Sequence, residues 1–258
     1  MIEEFEAYGL NQTTMVVVGI FKVSCAIMLL FGLKYRKLIL PAAGSASRMR
    51  GLPKFLLPCT NDYLTLIERH ISFLIDSVEN IWIPTNPKYV ELLSSMIEEN
   101  DKIKIFSIKS DTMSETVKTT MDKINGTNYT LVMPDTYFSN DKSYEKIISA
   151  DRSSLANLIC WKTRPSQKGK LGEVSFSNDG KLQDIVDKPG NQVYEHSWGA
   201  ITFTNDLYNF IKLDDPHIGY SIEAAFKDNK YISCIETDGD YYDCGTANEY
   251  IELIKKVF

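Results

Sequence analysis

Two observations predict an α/β fold with a mixed, mostly parallel sheet and helices on both faces. At 258 residues, 44% hydrophobic and 24% charged, the chain can bury the core of one large domain rather than stay disordered. After Tyr35, short β-rich runs alternate with stretches whose apolar residues recur at helical spacing, the pattern of strands joined through covering helices.

Lys37–Pro41, Ile81–Pro84, Ile103–Ile108 and Tyr129–Met133 read as the strands of the first half. Between them Leu64, Ile67, Ile71, Leu74 and Ile75 repeat at helical spacing, as do Val90, Leu93 and Met96, so each group predicts a core-facing helix. Another helix is predicted from Ser114 to Ile124, with Ser114 or Asp111 as its cap. A helix near Ser143–Ala150 opens the second half, followed by strands Leu158–Thr163, Glu173–Ser177, Leu182–Asp187 and Ala200–Thr204. Asn178-Asp179-Gly180 predicts a hairpin turn, since glycine accepts the positive φ that a tight turn demands. Helices near Asp206–Lys212 and Ser221–Phe226, strand Tyr231–Glu236, a turn at Asp238-Gly239 and a closing helix Ala247–Val257 complete the chain. No repeat, low-complexity tract or linker interrupts residues 34–258, which are expected to form one domain.

Residues 1–33 stand apart. From Met15 to Leu33 the chain is almost wholly apolar, after acidic Glu3, Glu4 and Glu6 and before Lys34, Arg36 and Lys37. As a membrane span it would leave its C-terminal side in the cytoplasm. Against a span, Lys22 would sit near mid-bilayer at a cost of about 3 kcal/mol, and the first core strand follows almost at once. Residues 1–33 therefore read as an apolar extension or loosely docked helix, with an anchor formed by residues 15–33 as the alternative and a native start at Met28 or Leu33 as a third reading. An acidic front and the lack of an A-x-A site argue against a cleaved signal. The domain is expected in the cytoplasm, or at the cytoplasmic face of the membrane if the anchor forms.

A formal charge of −6 argues against a nucleic-acid partner, because a protein that reads the phosphate backbone normally presents a basic face. Cys25, Cys59, Cys160, Cys234 and Cys244 are scattered and odd in number, so they suggest neither a disulfide framework nor a zinc site. His70, His196 and His217 have no second ligand at metal spacing and read as structural or exposed. The sequence is compatible with a homo-oligomer.

The most informative stretch runs from Leu38 to Met49, followed by Pro53-Lys54-Phe55-Leu56-Leu57-Pro58. A buried strand opens there into the small residues Ala42, Ala43, Gly44, Ser45, Ala46 and Ser47, whose N–H groups can approach a polyphosphate that bulkier side chains would hold off. Arg48 and Lys54 supply positive charge. The stretch fits neither GxxxxGK[ST] nor GxGxxG.

Ala-Ala-Gly-x-x-x-Arg-Met with Pro-Lys-x-Leu-Leu-Pro resembles the signature of the sugar-phosphate nucleotidyltransferases, which include the glucose-1-phosphate thymidylyl- and cytidylyltransferases. Leu131-Val132-Met133-Pro134-Asp135 resembles the strand that ends in that family's metal-binding aspartate, and Asp187-Lys188-Pro189 its Glu-Lys-Pro motif, whose lysine holds the sugar phosphate. Trp198-Gly199-Ala200-Ile201 looks like the sugar-pocket strand, and Tyr242-Asp243-Cys244-Gly245-Thr246 like the second metal-binding segment. The similarity spans residues 36 to 258 in order. It implies a Rossmann-like sheet of the nucleotide-diphospho-sugar transferase type, joining a nucleoside triphosphate to a sugar phosphate and releasing pyrophosphate. Ala46 stands where the family commonly has glycine, Ser47 where it has threonine, Pro134 where it has glycine, and Asp187 where it has glutamate.

The chemistry accounts for these residue types. A phosphate oxygen of the acceptor must attack the α-phosphorus of the triphosphate, and the two anions repel until cations lie between them. Asp135 and Asp243 are expected to hold Mg²⁺, for which hard carboxylate oxygens are suitable ligands. Lys188 would bind the acceptor phosphate, with Trp198 and Gly199 beside the acceptor. Arg48 and Lys54 would neutralise the triphosphate and the departing pyrophosphate. Ser114, Glu115 and Thr116 can contact the base or ribose, although capping alone also explains a Ser-x-Thr helix start. Alternatives are a cytidylyltransferase for a non-sugar phosphate such as phosphocholine or a methylerythritol phosphate, a glycosyltransferase of the GT-A type, and a catalytically silent binding module. Asp238-Gly239-Asp240 imitates a glycosyltransferase DxD motif, but Asp-Gly between strands reads first as a turn.

Overall fold

The computed structural model describes residues 17–19, 22–23 and 36–258. The chain divides into two units, Met1–Tyr35 and Arg36–Phe258. Residues 17–19 and 22–23 are helical, and the rest of the apolar stretch read as an extension or anchor lies outside the described residues. Among the described residues no helix is long and apolar enough to cross a membrane.

The second unit is built on eleven strands: β1 (Arg36–Ile39), β2 (Asn80–Thr85), β3 (Ile103–Ser107), β4 (Asn128–Val132), β5 (Thr136–Phe138), β6 (Ala156–Lys162), β7 (Gly172–Phe176), β8 (Leu182–Asp187), β9 (His196–Thr204), β10 (Ile232–Glu236) and β11 (Tyr241–Asp243). Its α-helices are α1 (Leu66–Leu74), α2 (Val90–Met96), α3 (Met113–Ile124), α4 (Lys142–Ser149), α5 (Gly219–Lys227) and α6 (Ala247–Val257). The main sheet runs β10-β6-β9-β4-β1-β2-β3, and β7 and β8 branch from β9. Pairing is parallel from β4 through β1 and β2 to β3 and between β10 and β6, whereas β9 runs antiparallel to β4, β6 and β7.

The period of two in the strands distributes the core over both faces. Leu38 packs in one apolar cluster and Ile39 in the other, and Val132 and Leu131 divide the same way. Ile67, Ile71 and Leu74 of α1 with Tyr144 and Ile147 of α4 cover the first face, and Val117, Met121 and Ile124 of α3 with Ile222 of α5 cover the second. Helices on both faces follow directly from this alternation.

Four local features differ from the sequence expectation. The stretch expected as a helix near Asp206–Lys212 is a 3₁₀ segment, Asn205–Phe210, in which only Leu207 is buried, so too little apolar surface supports a longer helix. Helix α3 is capped by Thr112, not by Ser114 or Asp111: its Oγ1 accepts from the Glu115 N–H at 3.0 Å. Arg36, counted among cations flanking an anchor, is buried at the head of β1. Its guanidinium donates to the carbonyls of Ile147 (2.7 Å), Ile148 (3.0 Å) and Ala150, satisfying acceptors at the C-terminal end of α4. Finally, β5 and β11 pair as a separate two-stranded antiparallel sheet that the sequence did not reveal.

Candidate active site

The small-residue loop leaves the C-terminal end of β1, flanked by β2 and β4, so it opens at the carboxyl edge of the sheet, where open α/β sheets bind ligands. Ala42 ties the loop down: its N–H donates to the Pro84 carbonyl (2.9 Å), and its own carbonyl accepts from the Asn86 N–H (3.3 Å). From Ala43 to Ser47 no backbone N–H donates to a backbone carbonyl among the described residues, which leaves a run of donors for an anion. Ala46 holds the left-handed conformation (φ 54°), and the N–H groups of Met49 and Gly51 converge on its carbonyl at 3.0 Å. A glycine there would adopt this φ without strain, which accounts physically for that residue type in the resembling family.

Every residue from Ala42 to Ser47 lines a cleft of about 920 Å³, the half that the sequence reading expects to take the triphosphate and so the expected donor half. A second cleft of about 690 Å³, the expected acceptor half, contains Lys188, Trp198, Gly199 and Asp243. Lys54, Met113, Met133, Asp135 and His217 line both, so the halves meet at those side chains.

Asp135 and Asp243 come together through the strand pair that sequence reading missed. Asp135 immediately precedes β5 and Asp243 ends β11; Asp243 stands opposite Thr136, and the Cys244 N–H donates to the Asp135 carbonyl at 3.0 Å. Lys54 Nζ lies 3.5 Å from Asp135 Oδ2. Burial, then the neighbouring Asp135 and Glu249 carboxylates, push the Asp243 carboxyl up to about 7, against the opposing pull of Lys54 and Lys188. Two acids that repel in a largely buried place suit a divalent cation. No group of three or more metal-ligating side chains converges among the described residues, and magnesium commonly takes one or two carboxylates and completes its shell from substrate phosphates.

The other predicted site residues divide. Gly199 is required by packing: a Cβ there would lie 2.3 Å from the Tyr241 ring. Glu115 and Thr116 line the donor half, yet both have internal partners, Glu115 Oε2 accepting from the Asp111 N–H (2.8 Å) and the Thr116 hydroxyl donating to the Thr112 carbonyl (3.0 Å). Ser114 lines neither half. It sits on the inner side of α3, fully buried, so the expected nucleotide contact does not form through its side chain. The Arg48 side chain lies outside the described residues. Asp238 and Asp240 line neither half, and Gly239 turns the chain at φ 92°.

Among the cleft residues that the sequence did not single out for the site are His217, read there as structural or exposed, and Gly172. His217 joins the halves, and no local pattern marks it, because the segment that carries it has neither helical nor strand periodicity. Gly172 lets the Trp198 indole lie against β7, since a Cβ there would approach Trp198 Nε1 to 2.3 Å. A glycine opening a strand next to Leu171 was the available signal.

The sequence model of the nucleotidyl transferase family matches residues 37–258. The chain belongs to the nucleotidyl transferase family. In this nucleotidyl transferase the match covers the loop, both acids and the closing helix. No curated protein sequence matches the chain. Among solved structures, a UDP-glucose pyrophosphorylase complexed with UDP-glucose is similar at 17% identity, TM-score 0.71, over 86% of this chain and 97% of that one. The inositol-1-phosphate CTP transferase from T. maritima is similar at 14% identity, TM-score 0.70, over 86% and 96%. A protein assigned as a glucose-1-phosphate thymidylyltransferase from Bacillus anthracis, in complex with a sucrose, is similar at 16% identity, TM-score 0.72, over 86% and 94%. At these identities the nucleotidyl transferase shares their fold.

Proposed function

We propose that the chain joins a nucleoside triphosphate to a sugar 1-phosphate and releases pyrophosphate, using Mg²⁺ held by Asp135 and Asp243. The observation that carries this reading is the meeting of donor and acceptor halves at Lys54 and Asp135, with Asp243 paired alongside. The donor-half loop offers backbone N–H groups to the triphosphate, and Lys54, with Arg48 beside the loop, balances the charge of the departing pyrophosphate. Lys188 fixes the acceptor phosphate next to Asp243, and Trp198 and Gly199 border the sugar. Bound magnesium would supply charge neutralisation between the two phosphates. No protein nucleophile is needed, because the acceptor phosphate is already ionised at neutral pH. A nucleoside triphosphate substrate and the free thiols of Cys59, Cys160, Cys234 and Cys244 fit a cytoplasmic setting.

The test is pyrophosphate release across a matrix of nucleoside triphosphates and phosphorylated acceptors, non-sugar phosphates included, with Mg²⁺ and with chelator. One triphosphate and one sugar 1-phosphate should stand out, and chelator should abolish the signal. Asp135→Ala and Asp243→Ala should each lower turnover at least about a hundredfold, the scale of a lost transition-state electrostatic contact. Near-normal turnover in either variant removes that acid from the site, and preference for a non-sugar phosphate replaces the acceptor assignment.

A further inference from the structure

Lys188 directly follows β8 in the left-handed conformation (φ 46°), with its N–H donating to the Leu171 carbonyl at 3.1 Å. That backbone aims a flexible four-carbon side chain into the acceptor half, where a lysine ammonium would ordinarily sample many rotamers. Here Lys188 Nζ lies 2.8 Å from His217 Nε2. An ammonium only donates, so this contact has the imidazole Nε2 as its acceptor. One of the three ammonium donors is engaged, and two remain for an anion. His217 is half-buried just ahead of α5 and lines both halves of the cleft, so the contact sits where the acceptor phosphate must meet the triphosphate.

We propose that His217 is a positioning residue for the acceptor phosphate: it holds the Lys188 ammonium at the junction of the two halves. This rests on the proposed reading of Lys188 as the acceptor-phosphate ligand. Because the ring acts through Lys188, its loss should weaken the acceptor while sparing the triphosphate.

The experiment uses the full chain and compares wild type, His217→Phe, His217→Gln, Lys188→Ala and the double variant Lys188→Ala/His217→Phe. Glucose 1-phosphate binding is read by calorimetry, KM for each substrate by pyrophosphate release with the best pair from the matrix, and folding by thermal melting. His217→Phe should weaken glucose 1-phosphate binding roughly tenfold, the scale of one hydrogen bond to a charged group, with an unchanged melting temperature and triphosphate KM. His217→Gln restores an acceptor near the Nε2 position and should recover most of that loss. In the Lys188→Ala background His217→Phe should add nothing, since the two act as one unit. Wild-type binding in His217→Phe, equal losses for both substrates, or additive losses in the double variant would overturn the inference while leaving the function intact. If Lys188→Ala itself binds glucose 1-phosphate as tightly as wild type, the acceptor assignment fails, and this inference with it.

Discussion

Replacing Asp243 with asparagine should make the metal-free protein more stable while abolishing its activity. Burial and the Asp135 and Glu249 carboxylates raise the Asp243 carboxyl from 3.8 to about 7 in the folded chain. Between those values the folded state keeps a proton that the unfolded state has released, so stability falls as pH rises through the window and the full penalty is present above about 7. The difference corresponds to roughly 4 kcal/mol at its upper bound, or on the order of 10 °C in melting temperature for a domain of this size. The asparagine amide cannot ionise, so Asp243→Asn in chelator should melt well above wild type at pH 8 and close to it at pH 4, where the wild-type carboxyl is largely neutral in the folded state and about half neutral in the unfolded one. Mg²⁺ with a triphosphate should raise the melting temperature of the wild type at pH 8 more than that of the variant, which keeps the loop and Lys54 but loses one metal-holding acid. Melting curves at pH 4, 6 and 8, with and without metal, decide the matter. A variant less stable than wild type at pH 8 in chelator, or one whose advantage does not change with pH, refutes the account of Asp243 as a buried charge awaiting a cation.

Three further outcomes follow from packing and protonation. Gly199→Ala places a methyl 2.3 Å from the Tyr241 ring, two residues before Asp243, and should cost about 1–3 kcal/mol in urea denaturation and lower turnover as well; unchanged stability would show that the ring yields freely. Arg36→Met leaves the carbonyls of Ile147, Ile148 and Ala150 without their donor and should destabilise by about 3 kcal/mol in the same assay, whereas a loss under about 1 kcal/mol would mean that water reaches them. His70 is buried, its Nε2 2.9 Å from the Thr136 carbonyl and its Nδ1 2.9 Å from the Tyr144 hydroxyl, and burial lowers it to about 3. The contribution of His70 to stability should therefore be full above about 6.5 and decline as pH falls towards 3, because only the unfolded chain accepts the proton; a His70→Gln chain with the same acid slope as wild type would exclude His70 as the source.

Short β-rich runs located the nine strands of the large sheet, among them strands long enough to divide their side chains between two cores, as Leu38 and Ile39 do. That reading missed β5 and β11 because three residues carry no period, and those two strands bring Asp135 to Asp243. The acids themselves were legible from residue type and their motifs, but their adjacency was not. Ser114 and Thr112 exchange roles for a related reason: several hydroxyl-bearing residues begin α3, and only the direction of the helix decides which one faces the sheet. Arg36 and His217 are visible as letters without a pattern, since their roles arise from contacts with Ile147 and Lys188, distant along the chain.

The hairpin of β7 and β8 joins β9 through only two residue pairs, Glu173 with Ser197 and Val174 with His196, and meets β10 at the Lys181–Ser233 bridge, while the small-residue loop grows from strands in continuous register. One wall of the cleft is thus a graft on a fixed frame. Insertions or exchanges in that hairpin can reshape what is admitted on one side without disturbing the register on the other. Redesign for a new acceptor is best begun there, at the short ladder, and not at the frame.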